Sequence, residues 1–242
     1  MYVSTNTDFC TFQIRSFYRT IEPMGKIAKN FLYKRKKRIL ILLYFAIYLI
    51  FFYLIEHVWT NRHYHVLDLP FDHMIPFIPV FVLPYYLWFV YHVWALLPPF
   101  IDDEPDDYYR TAFALFSGMT VFIVVSIIFP NEQVLRPTSL GTDIFSKMVG
   151  AIYAADTPTN IMPSIHVYNA LIANTAICRR SERMGRTWES ALSSILCTLI
   201  ILATVFIKQH TIVDLIGAAV MYGVFYVVFF KKFRLPAWLK EK

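Results

Sequence analysis

The stretch ILILLYFAIYLIFFYLIE occupies residues 39–56, and its only charged side chain is the glutamate at the last position. A run of this length spans the hydrocarbon core of a bilayer as an α-helix. Because backbone groups in lipid must find hydrogen-bond partners within their own segment, the run is a helix and not an exposed strand. The stretch therefore predicts a membrane-spanning helix.

The composition extends this prediction to the whole chain. Of its 242 residues, 57% are hydrophobic and 17% are charged, whereas a typical soluble domain carries about 25% charged residues. We predict an all-α integral membrane protein with six transmembrane helices. The predicted spans are 39–56, 75–97, 111–129, 165–178, 190–208 and 211–230.

Three regions follow from these spans. We expect a basic cytoplasmic N-terminal extension at 1–38, one six-helix membrane catalytic domain at 39–230, and a basic cytoplasmic tail at 231–242. The chain contains three widely spaced cysteines, an odd number that predicts neither a disulfide framework nor a zinc site.

Two of the predicted spans contain unusual residues. Pro76, Pro79 and Pro84 predict that the outer half of the second span is kinked or irregular. Asn169 and Asn174 predict that the fourth helix faces the interior of the bundle.

Lysine and arginine are unevenly distributed between the two ends of the predicted bundle. The outer segments carry only Arg62, Arg136, Lys147 and Lys208. Because basic residues favour the cytoplasmic side, this asymmetry predicts that both termini are cytoplasmic. With the N-terminus inside, the inner segments carry Lys26, Lys29, Lys34 to Arg38, Arg110, Arg179, Arg180, Arg183, Arg186, Lys231, Lys232, Arg234, Lys240 and Lys242.

The N-terminal region also bears on location. The first 25 residues lack the short apolar core and small-residue cleavage site of a signal peptide, and we expect a bacterial plasma membrane. The basic cluster directly before the first span is interpreted as a topology anchor on the anionic leaflet. No nucleic-acid partner is expected, and the oligomeric state is left open.

The longest predicted connection, at 130–164, contains a short amphipathic segment. Its apolar residues recur at helical spacing and form a single stripe. We predict an interfacial helix in the outer loop between spans 3 and 4, placed over the site. The stripe consists of Phe145, Met148, Val149, Ile152 and Tyr153.

Side chains with functional chemistry gather at the outer edge of the predicted bundle. Arg136 follows the third span, His166 opens the fourth, and Lys208 and His210 lie between the fifth and sixth. Asp214 follows His210 by four residues, so the two side chains are neighbours on one helix face. A carboxylate one turn inside a membrane helix needs a partner, and His210 is the obvious one.

This arrangement predicts phosphoryl-transfer chemistry. A carboxylate at Asp214 fixes the tautomer of His210 and leaves its other ring nitrogen free as a nucleophile. His166 is then placed to protonate the leaving oxygen. The predicted catalytic residues are therefore His166, His210 and Asp214, with a covalent phosphohistidine and without a metal or another cofactor.

Three further residues are predicted to bind phosphate. Arg136 offers a planar fork of donors to phosphate oxygens, and Lys208 adds a point charge. Ser164 and the neighbouring backbone amides at the start of the fourth helix can hold an oxyanion.

Other interpretations of these residues remain open. A His-x-x-x-Asp pair also fits a metal site or a helix-stabilising pair. Four histidines in the first outer loop, His57, His63, His65 and His73, fit either a metal site or an aromatic-rich interfacial loop.

The motifs occur in a recognisable order: an Arg-Pro pair, a Pro-Ser-x-His segment and a His-x-x-x-Asp segment. The chain carries them at 136–137, 163–166 and 210–214, and it thereby resembles the type 2 phosphatidic acid phosphatase superfamily. The stretches DTPTNIMPSIH at 156–166 and KQH at 208–210 resemble the branch that contains inositol phosphorylceramide synthases. The resemblance covers residues 70–230.

This resemblance implies a six-helix membrane core and roles for individual residues. It implies that His210 is the nucleophile, Asp214 its orienting partner and His166 the general acid, while Arg136 and Ser164 bind phosphate. The chain departs from the phosphatase pattern where Phe129, Ala203-Thr204 and Ile165 stand in place of a lysine, a Ser-Arg pair and a glycine. These departures favour the transferase-like branch, and Lys208 is expected to replace one missing cation.

The sequence therefore predicts a membrane-embedded, metal-independent lipid phosphatase that acts on a phosphate monoester or diester at the extracytoplasmic face. The alternative is a lipid phosphotransferase that passes a headgroup to a hydroxyl acceptor. The alternative of another class is a non-enzymatic transporter or scaffold. The expected partners are a lipid phosphate in the membrane and, for transfer, the hydroxyl acceptor.

Overall fold

The computed structural model describes residues 31–102 and 104–239, and the protein is about 74% helical. Five helices in the described part are long and apolar enough to cross a membrane. Most of the basic N-terminal extension, at 1–30, and the last part of the tail, at 240–242, lie outside the described residues, together with Cys10 and Asp103.

The described part of the chain contains eight α-helices and two short strands. Strands β1 (His65–Val66) and β2 (Asn131–Glu132) pair in parallel, with His65 opposite Asn131. This ladder ties the connection after α1 to the connection after α4. The helices are α1 (Lys36–Tyr53), α2 (Pro70–Met74), α3 (Val82–Ile101), α4 (Pro105–Ile128), α5 (Ile144–Ala155), α6 (Ile165–Arg183), α7 (Thr187–Phe206) and α8 (Ile212–Phe225).

The five apolar segments overlap five of the predicted spans. Two of them continue as π-helix, at Leu54–Val58 after α1 and at Tyr226–Lys232 after α8. Helix α4 begins six residues before the predicted start at 111, at Pro105. Proline suits the first helical position, and the acidic residues of the first turn favour the positive end of the helix dipole.

The second predicted span is irregular in the half that contains its prolines, as predicted. Residues 75–78 are not helical, Pro79–Phe81 form a 3₁₀ turn, and the regular helix begins at Val82. The amide of Ile78 donates to the carbonyl of Phe206 at 2.9 Å. The amide of Ile78 is thus paired with α7 and not with its own segment.

The predicted fourth span forms a helix that is not one of the five apolar ones. Helix α6 has 19 residues and packs against α3, α4, α7 and α8. The amide oxygen of Asn174 accepts a hydrogen bond from the hydroxyl of Ser193 at 2.8 Å, and Asn169 is buried. Both asparagines therefore face the bundle interior, as predicted.

Helix α5 forms where the apolar stripe predicted it. Val149 and Ile152 are buried and belong to a cluster that includes Val82 of α3 and Ala203 of α7. The Asp143 side chain caps the helix by accepting from the amide of Ser146 at 3.0 Å. The stripe thus packs on the end of the bundle.

The opposite end of the bundle carries charged connections. Arg180 at the end of α6 pairs with Glu104 at 3.1 Å and also with Asp102. Arg183 pairs with Asp107 in the first turn of α4. These pairs place the acidic α3–α4 connection beside the basic α6–α7 connection, at the end remote from α5.

Candidate active site

His210 lies in a tight turn that delivers it to the start of α8. Its backbone amide donates to the carbonyl of Thr204 at 3.1 Å. Thr211 and Asp214 form a capping box, in which the Asp214 carboxylate accepts from the Thr211 amide at 2.9 Å. The same carboxylate oxygen lies 3.2 Å from Nδ1 of His210. The cap that starts the helix therefore also orients the imidazole.

His166 contacts the side of the His210 ring that faces away from Asp214. Nε2 of His210 lies 3.3 Å from Nδ1 of His166, although the two residues are 44 positions apart. With Nδ1 of His210 donating to Asp214, its Nε2 carries a lone pair and accepts from Nδ1–H of His166. The three predicted catalytic residues thus form one hydrogen-bonded chain from Asp214 to His210 to His166.

Aromatic side chains of α3 hold His166 in place. Its ring lies 4.6 Å from the ring of Tyr85 and 4.6 Å from that of Trp88. The indole N–H of Trp88 also donates to the backbone carbonyl of His166 at 3.1 Å. These contacts fix the first turn of α6 beside α3 and leave the imidazole half-buried.

Ser164 caps α6 and joins it to α8. Its hydroxyl accepts from the amide of Val167 at 3.3 Å, and its own amide donates to the carbonyl of Asp214 at 3.3 Å. The residue is fully buried. Ser164 thus lies within the hydrogen-bonded framework under the two histidines.

Arg136 contacts Gln209, the residue directly before His210. Its guanidinium donates to the side-chain oxygen of Gln209 at 2.6 Å and to the carbonyl of Asp156 at 2.7 Å, and it lies 4.2 Å from the ring of Tyr153. Its Nε has no hydrogen-bond partner among residues 31–102 and 104–239. Burial lowers the pKa of the guanidinium, while the nearby Asp156 opposes that shift.

The structure does not bring Lys208 to the histidine pair. Its ammonium donates to the carbonyls of Asp72 and Ile75, at 2.7 and 2.6 Å. Lys208 adopts a left-handed backbone conformation, with a φ of 55°, and burial lowers the pKa of its amine. The predicted phosphate-binding role of Lys208 therefore has no support in this geometry, in which the residue secures the turn before His210.

Gln209, the residue after Lys208, lies in the site instead. The amide nitrogen of Gln209 donates to the Asp156 carboxylate at 3.0 Å, so Gln209 links that carboxylate to Arg136. Burial raises the pKa of Asp156, while His210 and Arg136 oppose the shift. Sequence reasoning missed both residues, although each adjoins a motif that it singled out: Gln209 precedes His210, and Asp156 opens the stretch that ends at His166.

A large cavity opens at the two histidines. Its volume is about 740 Å³ and its walls are mostly apolar. It lies between α1 and α3, both of which pack on α4, and exposed residues of both helices, including Phe45 and Phe89, belong to its lining. We call this space the lateral cavity. Its polar end is formed by Tyr85, Asp156, Asn160, His166, Gln209 and His210, and its far end by Phe100 and Tyr108.

The histidines of the predicted first outer loop make separate contacts. The rings of His63 and His65 are 5.5 Å apart, and His73 pairs with Asp68 at 2.8 Å. Among residues 31–102 and 104–239, no group of three or more His, Cys, Asp or Glu side chains is arranged to hold a metal ion.

The site thus combines three features in one place. A buried carboxylate orients one imidazole, a second imidazole faces the first at hydrogen-bond distance, and a guanidinium bonds to the side chain of the residue that precedes His210. This set can supply a nucleophile, a proton donor and a positive charge. No protein-family model, curated protein or solved structure matches the chain.

Proposed function

We propose that the protein is a membrane-embedded lipid phosphatase that works through a phosphohistidine at His210. The observation that carries this proposal is the chain Asp214–His210–His166 at the polar end of an apolar cavity. An amphiphile whose phosphate lies at the histidines places its hydrocarbon part in the apolar walls. The family resemblance of the motifs points to the same chemistry.

The proposed reaction has two steps. In the first, Nε2 of His210 attacks phosphorus, the N–P bond forms as the P–O bond to the lipid breaks, and protonated His166 gives its Nδ1 proton to the departing oxygen. In the second, His166 takes a proton from water, the oxygen of that water attacks phosphorus, and the N–P bond breaks. The phosphoryl group enters between the two rings, which separate from their 3.3 Å contact.

Two charged groups flank this reaction. Arg136 supplies positive charge to the phosphoryl oxygens, because its guanidinium bonds to uncharged oxygens and makes no ion pair among the described residues. Ser164 positions the start of α6 beneath them. Asp214 holds His210 in the tautomer whose Nε2 is nucleophilic, and it stabilises the cationic ring that forms.

We also propose the full membrane arrangement. Helix α6 serves as the sixth span, since the Asn174 side chain is hydrogen-bonded to a neighbouring helix and α3, α4, α7 and α8 pack around α6. Both termini lie in the cytoplasm, in accord with the basic residues at the end opposite α5. The histidine pair then opens at the extracytoplasmic face, beneath α5 in the outer interface, and the host membrane is a bacterial plasma membrane.

Headgroup transfer is the second candidate function. The lateral cavity leads from the lipid-facing surfaces of α1 and α3 directly to the histidines, so a lipid hydroxyl can reach the phosphohistidine by the same route as the substrate. Water as the acceptor gives hydrolysis, and a lipid or polyol hydroxyl gives transfer. Product analysis by mass spectrometry, with diacylglycerol, ceramide or inositol added, distinguishes the two.

The test of the mechanism is His210→Ala in the purified protein. We expect turnover of phosphatidate and related lipid phosphates to fall at least about 1,000-fold, because the nucleophile is removed. The matched control is His63→Ala, which removes an exposed histidine from the first outer loop and leaves turnover intact. A His210→Ala variant that keeps full activity would sink the mechanism. A wild-type protein inactive on every lipid phosphate would instead favour a transporter or scaffold.

A further inference from the structure

Two polar atoms in the wall of the lateral cavity lack hydrogen-bond partners. They are Nε2 of His92 on α3 and Oδ1 of Asn169 on α6, and both are buried without a partner among residues 31–102 and 104–239. Buried polar atoms are nearly always paired. Two such atoms in the wall of one cavity indicate that a ligand in the cavity supplies their hydrogen-bond partner.

The geometry fixes the chemistry of His92. Its Nδ1 lies 2.6 Å from the backbone carbonyl of Trp88. A carbonyl only accepts, so Nδ1 carries the hydrogen. Charge without a partner is costly in apolar surroundings, and the ring is therefore neutral. Nε2 of His92 is consequently a hydrogen-bond acceptor that lacks a donor.

Asn169 presents a second acceptor close to the histidine pair. It follows His166 by three residues on α6, which places it on the same helix face and about 4.5 Å further along the axis. Trp88 connects His92 to the site, since the Trp88 ring lies 4.2 Å from that of His92 and 4.6 Å from that of His166. Both acceptors thus lie below the position proposed for phosphate.

We propose that His92 and Asn169 form a subsite for a hydrogen-bond donor on the lipid. The ligand class is a lipid phosphate with a free hydroxyl or an amide N–H on the carbons next to the phosphoester. A diacyl glycerophospholipid offers only ester oxygens at this depth, and these are acceptors that leave both protein atoms unpaired. The subsite rests on the proposed function and adds the selection of substrate.

The experiment compares two lipids that differ in one donor. The probes are 1-oleoyl glycerol 3-phosphate, which has a free 2-hydroxyl, and its 2-O-methyl ether, which has none. The wild-type protein is expected to favour the hydroxyl lipid about tenfold in kcat/KM, which corresponds to about 1.4 kcal/mol. Binding of both lipids to the His210→Ala variant, measured by native mass spectrometry, is expected to show the same preference without turnover.

The variants are His92→Phe and Asn169→Leu, which keep side-chain bulk and remove the acceptors. Each is expected to lower the preference for the hydroxyl lipid to less than about threefold, a loss comparable to one hydrogen bond. The matched controls are His57→Phe and Asn61→Leu, at exposed positions before the first strand. These controls keep the full preference.

The outcomes separate this proposal from the proposed function. No preference in the wild-type protein, or an unchanged preference in a folded His92→Phe protein, overturns the subsite. If no lipid phosphate is turned over, the proposed function fails, and the binding comparison still decides on the subsite. A preference that disappears in His92→Phe and persists in His57→Phe supports it.

Discussion

Asp156 places a carboxylate where the proposed function requires a phosphate. Its side chain lines the polar end of the lateral cavity and accepts a hydrogen bond from Gln209 at 3.0 Å. Burial raises its pKa above the ordinary value of 3.8. A protonated Asp156 is neutral and tolerates an anion nearby, whereas the carboxylate repels one.

The pH dependence of substrate binding follows from this charge. As pH rises through the raised pKa of Asp156, the neutral acid becomes a carboxylate, and KM for a lipid phosphate is expected to increase. Asp156→Asn removes that increase and lowers KM at neutral pH by roughly tenfold, the effect of about 1.4 kcal/mol of like-charge repulsion. KM measured from pH 4 to 8 for both proteins is the test. Parallel profiles for the two proteins would contradict it.

Individual residues differ in how far the sequence could assign them. The partnership of His210 and Asp214 was predicted from a four-residue spacing on one helix, but His210 lies before the N-cap Thr211. The contact forms because Asp214, at the third position of the capping box, turns its carboxylate back toward the residues before the helix. The orientation of the Lys208 side chain was not predictable, because it depends on a left-handed backbone turn and on carbonyls 133 or more positions away in sequence. Gln209 enters the site by the same turn.

The short helix α2 acts as a brace for the start of α8. One carboxylate oxygen of Asp72 accepts from the amide of Ile212 at 2.8 Å, and the other accepts from the amide of Leu69 at 2.9 Å. The carbonyl of Asp72 also receives the Lys208 ammonium. One buried residue thus holds both sides of the turn that carries His210.

Removing this brace is expected to destabilise the protein. Asp72→Ala leaves two amides without acceptors, and loss of such a cap typically costs about 1–2 kcal/mol. The midpoint of thermal unfolding in detergent should fall by a few degrees. Asp68→Ala is the matched control, because it removes only the exposed pair with His73, a type of contact that contributes about 0–1 kcal/mol. Equal shifts for the two variants would refute the role of Asp72.

The elements themselves were largely predictable, and their ends were not. Apolar length forces a helix in lipid, whatever the neighbours are. Helix α3 nevertheless continues to Ile101, through Pro98 and Pro99, where the predicted span stopped at 97. Arg35 donates to the carbonyls of Phe100 and Ile101 at 2.7 Å. This cap comes from the residue directly before α1, about 65 positions away in sequence, so no local pattern around residue 100 predicts it.

The distribution of charge over the molecule predicts its orientation. Lys147 on α5 and Lys232 after α8 are both exposed and lie at the two predicted faces. In a cysteine-free background, Lys147→Cys is expected to react with a membrane-impermeant maleimide in intact cells. Lys232→Cys is expected to react only after the membrane is opened. Labelling of Lys232→Cys from outside would reverse the proposed topology.

The gap between α1 and α3 has a consequence for how activity must be quantified. Because exposed residues of both helices line the lateral cavity, the lipid phosphate proposed as substrate is expected to enter laterally, directly from the surrounding lipid layer. Encounter is then governed by diffusion in two dimensions. The quantity that sets saturation is the mole fraction of substrate among surrounding lipids or detergent. Diluting substrate with inert amphiphile slows the protein even when the bulk concentration of substrate is constant.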